Sequence, residues 1–334
     1  MRIHHLNCGC MCPLGGALFD GFSKGLTAQL VCHCLLLETD QHGLVLVDTG
    51  FGTEDVRRPG ERLSPFFRAL NNIRLEPRYT ALEQLHRLGF AAEDVRHIVL
   101  THLDFDHAGG LSDFPQAQVH VLQREMDAAR ATRSFIGHSR YRHRQWDEVR
   151  HWQFYEPGGD LWFGFQAVRE LRGLPPEIQL IPLTGHTHGH AGVAVQTDSG
   201  WLLHAGDAYF FREEVGRNER HCTPGLRFYQ RMMEVDRTAR LANQHRLWTL
   251  SLEHRDEVEL TVLESGLEFE LQGEGSESVP RTEDHLLVRA VRAAWRAAGL
   301  QEQPGMRIVA RNRVLHGRGD RAAQRLAQHD ELGA

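Results

Sequence analysis

Within Thr101-His102-Leu103-Asp104-Phe105-Asp106-His107-Ala108-Gly109-Gly110, two imidazoles and two carboxylates fall inside six positions. Such side chains offer nitrogen and oxygen lone pairs to divalent cations. His102, Asp104 and Asp106 alternate, and the adjacent pair Asp106 and His107 can be aimed at different points by a turned backbone, so one loop could feed two neighbouring metal ions. The competing reading is a polar strand-to-helix loop with His107 near a helix start. Further on, Thr184-Gly185-His186-Thr187-His188-Gly189-His190 crowds three more imidazoles between glycines, and Asp207 closes the run Ala205-Gly206-Asp207.

These groups need scaffolding, and the apolar runs before them supply it. Ile98-Val99-Leu100 is too short for a helical stripe and reads as a buried strand, after which Ala108-Gly109-Gly110 allows close backbone approach. Residues 1–22 suggest a strand and then an irregular loop that borders the pocket. Leu30 to Leu37, the turn Asp40-Gln41-His42-Gly43 and Leu44 to Val47 form a β-hairpin ending in Asp48-Thr49-Gly50. Leu82, Leu85 and Leu88 repeat at helical spacing, and Ala117, Val119 and Val121 alternate as a strand. Ile178 to Leu183 leads into the second histidine cluster. A hairpin of Ala191 to Val195 and Trp201 to His204 leads to Asp207, Val235 to Glu253 reads as a helix, and Val258 to Leu263 reads as a last strand. Strand followed by ligand loop thus occurs four times, which implies two packed sheets flanked by helices.

The chain has 334 residues and 41 % hydrophobic content, enough for one large domain and a smaller appendage. A net charge of −6, with arginines scattered among acidic residues, offers no basic field for nucleic acid. No run reaches the length of a signal peptide or a membrane span, so a cytoplasmic protein with reduced thiols is expected. Cys8, Cys10 and Cys12 lack the paired spacing of structural zinc sites and, with Cys32 and Cys34, read as structural or pocket residues. Tyr141, Trp146, Trp152, Phe154 and Tyr155, in the Arg-rich stretch 124–160, read either as a substrate wall or as a packed surface lobe.

The run from His102 to His107 resembles the His-x-His-x-Asp-His signature of the metallo-β-lactamase-fold hydrolases, a superfamily that includes acyl-homoserine lactonases and glyoxalase II. Asp104 stands where most members have a second histidine, which hardens the site. Over roughly residues 1–265 the resemblance implies an α/β four-layer αββα sandwich and two divalent metal ions, zinc first, with manganese or iron as alternatives. His102, Asp104 and His186 would hold one ion, Asp106 and His107 the other, and Asp207 both, with Asp48 bracing them by hydrogen bonds. His188 and His190 are not carried over as ligands. The family's final histidine, just after the last strand, has no counterpart; Glu264 falls at that position and His254 lies before the strand.

Residues 266–334 look different. Gly273-Glu274-Gly275, Pro280 to His285, the helix Leu286 to Ala298 and Asn312 to Gly319 resemble the opening of a homoserine kinase, a short β-β-α-like extension. Gly319 is followed by Asp320-Arg321-Ala322-Ala323-Gln324 rather than the family's phosphate loop, so no kinase activity is expected.

The function expected is hydrolysis of a small-molecule ester, lactone or thioester, lactone first, with no nucleic-acid or membrane partner and no implied oligomeric state. A metal lowers the pKa of bound water from about 15.7 towards about 7, giving hydroxide, and Asp106 would orient it and pass a proton to the leaving group. Tyr209 is an approximate counterpart of the tyrosine some lactonases place after the bridging aspartate. Two other readings are an iron-dependent enzyme like the persulfide dioxygenases and a non-catalytic, metal-stabilised domain.

Overall fold

The computed structural model describes residues 1–168, 170–198 and 200–260, with the backbone of 261, 268–273 and 307–312. Glu264, the Leu286 to Ala298 helix and the segments 280–285 and 313–324 lie outside the described residues. By contact density the chain forms two units, Met1–Ser265 and Gly266–Ala334.

The first unit is built on two sheets. The larger contains β1 (Arg2–Met11), β2 (Leu30–Glu38), β3 (Leu44–Val47), β4 (Ile73–Arg74), β5 (Val95–Val99), β6 (Gln118–Leu122) and β7 (Trp152–Tyr155), in the order β4-β1-β2-β3-β5-β6-β7. The short strands β8 (Leu161–Trp162) and β9 (Phe165–Gln166) pair with each other. The smaller sheet contains β10 (Ile178–Pro182), β11 (Ala191–Thr197), β12 (Gly200–His204) and β13 (Val258–Thr261), in chain order. β12 and β13 run parallel, His204 opposite Thr261, because the long helix Arg237–Glu253 returns the chain between them.

Alternation along the strands assigns the layers. On β2, β3 and β5, Leu36, Leu46 and Ile98 join Ala81 and Leu85 of the helix Ala81–Arg87 and Met126 and Ala129 of the helix Gln123–Ala131. Their neighbours Leu35, Leu37, Val45, Val47 and Val99 point the other way, onto Ile178, Leu180, Val193, Val195 and Leu202 of the smaller sheet. On the far face of that sheet, Ile181, Ala194 and Leu203 meet Leu247 and Leu250 of the helix Arg237–Glu253. Helix, sheet, sheet, helix makes the four-layer αββα sandwich. Each of the fully buried leucines contributes roughly 1.5–3 kcal/mol by leaving water. The strands are hydrophobic on both faces because both faces are covered.

The helices begin where the sequence supplies caps. Thr80 accepts from the Glu83 amide, Ser134 from the Gly137 amide and Asp236 from the Ala239 amide. The aromatic stretch is a packed lobe and not a substrate wall. Tyr141 and Trp146 are buried in the core under the larger sheet, Tyr155 lies between the sheets, and Trp152 and Phe154 sit on edge strand β7. In the second unit, β14 (Glu268–Gly273) and β15 (Arg307–Asn312) pair in parallel.

Candidate metal centre

The loop after β5 is held by Asp48, at the end of β3. Its Oδ1 accepts from the Thr101 amide at 2.8 Å and its Oδ2 from the Thr101 hydroxyl at 2.7 Å. The loop then turns tightly, His107 and Ala108 both donating to the Asp104 carbonyl, and passes against Gly109, where a Cβ would lie 2.1 Å from the Asp55 carboxylate. Across the site, the loop 184–190 leaves β10 and enters β11. Glu125, buried at the start of its helix, ties the two loops together by accepting from the Leu103 amide (3.0 Å), the Thr187 hydroxyl (2.6 Å) and the Gly189 amide (3.1 Å).

These loops bring His102, Asp104, His186 and Asp207 together, one ligand atom from each lying within 4.8 Å of every other. Asp104 Oδ2 is 3.4 Å from His102 Nε2 and 3.0 Å from His186 Nε2, and Asp207 Oδ2 is 3.8 and 3.2 Å from the same two nitrogens. Ligands about 2.0–2.1 Å from one tetrahedral ion sit about 3.3 Å apart, so these separations fit a divalent metal. The tautomers fit too. The Thr101 hydroxyl donates to Asp48 and its oxygen, 2.9 Å from His102 Nδ1, accepts from that nitrogen. The Nε2 lone pair of His102 is thereby left facing the cluster, buried and without a hydrogen-bond partner.

One more group reaches this cluster. The buried Arg140, at the end of the helix Phe135–Arg140, forks onto Asp104 through Nε (2.6 Å) and Nη2 (2.5 Å), and Nη2 also lies 2.7 Å from His186 Nε2. Its Nη1 donates to the carbonyls of Met233 and His186.

Next to this group lie Asp106, His107 and the other oxygen of Asp207. His107 Nε2 is 3.3 Å from Asp207 Oδ1 and 4.0 Å from Asp106 Oδ2. Nδ1 of His107 donates to Asp48 Oδ2 at 2.8 Å and Nε2 faces the two carboxylates. Asp207, Asp48 and Asp106 raise this ring well above the usual imidazole range despite its burial, so its Nε2 proton answers the carboxylates until a metal ion takes that place. His190 is not a ligand here. Its Nδ1 donates to the Leu183 carbonyl and its Nε2 accepts from the Asp207 amide at 2.9 Å, so the ring steers Asp207. His188 is exposed.

The charges follow from burial and neighbours. Burial alone would push Asp104 up, but the Arg140 guanidinium and the His102 ring hold it well below the usual carboxylate range. Asp207 is likewise held down, against its burial, by His107 and His186. Burial, with Asp207 and Asp104 nearby and only partly countered by His107, pushes Asp106 up to about 6. Burial and the nearby Arg140 lower His186 to about 4.

Asp106, His107 and Asp207 line a cleft of about 690 Å³, part of it open to solvent. Met11, Leu30, Val31, Phe210 and Leu226 give it an apolar wall, and Tyr209, Tyr229, Cys32, His33 and His204 also border it. A few polar groups on an apolar wall are what a small-molecule site offers.

The sequence reading thus named residues that the fold does assemble, and it missed others. His254 is elsewhere, at the end of its helix, bonded to Glu257 and edge-on to Phe163. Glu264 lies outside the described residues. His33 and His204, with buried Nδ1 atoms lacking hydrogen-bond partners, stand on the cleft wall and were read only as strand residues. Arg140 and Glu125 were also missed. A carboxylate among metal ligands implies a balancing cation, but nothing in the spacing of the Arg-rich stretch singles out Arg140. All six cysteines are buried, and Sγ of Cys10 and Cys12 are 3.5 Å apart. Among the described residues no cysteine belongs to a metal-ligand cluster.

Residues 28–246 match the family model of the metallo-beta-lactamase superfamily. A probable metallo-hydrolase of Mycobacterium tuberculosis is 40 % identical over 251 residues, 74 % of this chain and 76 % of that protein. An N-acyl homoserine lactonase from a Bacillus species is 28 % identical over 208 residues, 60 % of this chain and 75 % of its own. Among solved structures, an N-acyl homoserine lactone hydrolase with the product N-hexanoyl-L-homoserine at its catalytic metal centre superposes with a TM-score of 0.57 at 22 % identity, covering 77 % of this chain and 91 % of that one. Separately, 70 residues, 21 % of the chain, are 49 % identical to a homoserine kinase of Streptomyces coelicolor, covering 22 % of that enzyme.

Proposed function

The chain belongs to the metallo-beta-lactamase superfamily, and from that premise we propose that it hydrolyses a small lactone, with related esters and thioesters as slower substrates, at a metal centre formed by His102, Asp104, Asp106, His107, His186 and Asp207. The observation that carries this reading is the convergence of four ligand atoms within 4.8 Å beside an apolar-walled cleft. Zinc is the ion proposed, and Glu264 is proposed as a further ligand of the second position.

A divalent ion held there acidifies water and polarises a carbonyl. The rest belongs to the protein. The Thr101 and Asp48 relay orients the rings of His102 and His107 so that their Nε2 atoms face the site. The carboxylates of Asp207, Asp48 and Asp106 hold His107 well above the usual imidazole range despite its burial, so that ring gives up a proton when an ion binds. Asp207 divides its two oxygens between the His186 side and the His107 side, and the His190 ring holds its backbone in place. Asp106, beside His107 and on the cleft wall, takes a proton from the attacking water and returns it to the leaving alkoxide. The apolar wall of Met11, Leu30 and Leu226 accommodates an acyl or alkyl chain. The lactone preference is drawn from the Bacillus lactonase and from the product-bound lactone hydrolase.

The test is elemental analysis of the purified chain together with hydrolysis of lactone, ester and thioester panels before and after chelation. Bound zinc with chelator-sensitive lactone turnover is expected. Bound zinc with no turnover on any panel would overturn the hydrolase assignment.

A further inference from the structure

We propose that Asp104 and Arg140 act as one neutral ligand unit in the first metal position, the guanidinium cancelling the charge of the carboxylate and competing with the metal for the lone pair of His186. The argument rests on the metal-centre reading above and goes to how this chain tunes it.

Three observations lead there. The first is geometric: Arg140 uses the fork of its guanidinium on both oxygens of Asp104, at 2.6 and 2.5 Å, so the carboxylate cannot rotate about its own axis. The second is the lone-pair count. His186 Nε2 has one, and it faces both Arg140 Nη2 at 2.7 Å and the cluster of His102, Asp104 and Asp207, so it serves the guanidinium or a metal but not both. Asp104 Oδ2 has lone pairs enough to serve the two together. The third is charge. With Asp104 and Asp207 negative and Arg140 positive, the position carries the same net charge as three neutral imidazoles and one carboxylate. Arg140 is almost fully buried, at 2 % exposure, and its remaining donors are taken by the Met233 and His186 carbonyls, so the guanidinium cannot swing out to solvent. Asp104 at this position is thus tolerable because a fixed cation accompanies it.

Arg140 is therefore a positioning residue, and its signature is a change in metal affinity. The full-length chain, Arg140→Met and the double variant Asp104→His with Arg140→Met are titrated with Zn²⁺ against a chromophoric chelator, and each is melted in chelator. Removing the competing cation beside a buried carboxylate should tighten Zn²⁺ binding in Arg140→Met by at least about tenfold. The same variant should melt below the parent without metal. The double variant, which replaces the pair by one imidazole, should melt above Arg140→Met and bind Zn²⁺ at least as tightly as the parent.

Weaker or unchanged binding in folded Arg140→Met would overturn the inference. Should Arg140→Met not fold, the double variant decides: Zn²⁺ affinity below the parent's would overturn it. If the parent took up no Zn²⁺ while the double variant did, the hydrolase reading would fall and the competition between Arg140 and metal would stand. A parent that binds Zn²⁺ with Arg140→Met binding it no better, or with the double variant binding it less tightly, would sink only the present inference, and uptake by none of the three would sink both.

Discussion

Nδ1 of His107 donates to Oδ2 of Asp48 across 2.8 Å, and the same oxygen takes the Thr101 hydroxyl at 2.7 Å. One carboxylate oxygen thereby fixes the orientation of the His107 ring directly and that of His102 through Thr101. Asp48 does this with a left-handed backbone, φ +57°, which asparagine also tolerates. Asp48→Asn keeps the backbone and puts a donor amide where His107 and Thr101 need an acceptor. Metal affinity should drop by about 10–100-fold, measured by competition with a chelator. An affinity within twofold of the parent would mean the brace does not control the ligands.

Glu125 joins the two ligand loops and belongs to neither. Glu125→Gln swaps one acceptor oxygen for a donor opposite the Leu103 amide or opposite the Thr187 hydroxyl and Gly189 amide. Each donor left unsatisfied in the interior costs about 1–3 kcal/mol. Urea unfolding of the chelated protein should shift by that amount, with unchanged slope.

Away from the centre, a chain of neutral rings makes stability depend on pH. The Arg172 amide donates to the Tyr155 oxygen, whose hydroxyl lies 2.8 Å from His120 Nδ1, and His120 Nε2 lies 3.0 Å from His97 Nδ1. Burial lowers His120 to about 3, with His97 adding to the effect, and lowers His97 to about 4, with His42 adding. In the unfolded chain both return to about 6.5. Above that pH neither state carries the protons and nothing is lost. Between about 6.5 and 4 the unfolded chain binds protons that the folded one refuses, so stability falls by up to about 1.4 kcal/mol per pH unit for each ring. Urea midpoints at pH 7.5 and 5.5 measure it, and His97→Gln should flatten the dependence by removing one of the two events.

Asp106 carries the proton transfer in the mechanism proposed here. Asp106→Asn should lower lactone turnover by about 10²–10⁴-fold. Steady-state kinetics with the metal content of each sample measured alongside separates lost chemistry from lost metal. Turnover within threefold of the parent at equal loading would remove Asp106 from its role.

Much of this was legible in the chain. His102 to His107, His186 and Asp207 each follow a short β-rich run, and a strand end fixes where the next residues go. The four layers came from the resemblance to the metallo-β-lactamase fold and not from spacing; Leu35 to Leu37 and Leu44 to Val47 agree with it, apolar on both faces because both are covered. What stayed hidden depends on contacts between elements far apart in sequence. Arg140 lies 36 residues from its carboxylate, and Glu125 spans 22 residues to Leu103 and 64 to Gly189. Tyr141 and Trp146 look like wall residues by composition, and only the packing of their lobe sends them into the core.

The alternation along β2 has a consequence for how this enzyme can diversify. Leu35 and Leu37 face one layer, Cys34 and Leu36 the other, and Cys32 and His33 on the same strand border the cleft. Loss or gain of a single codon in this strand would turn every leucine to the wrong layer and carry the two cleft residues away with them. New substrate preferences can therefore arise here by point substitution, while changes in chain length are confined to the loops that follow the strand ends.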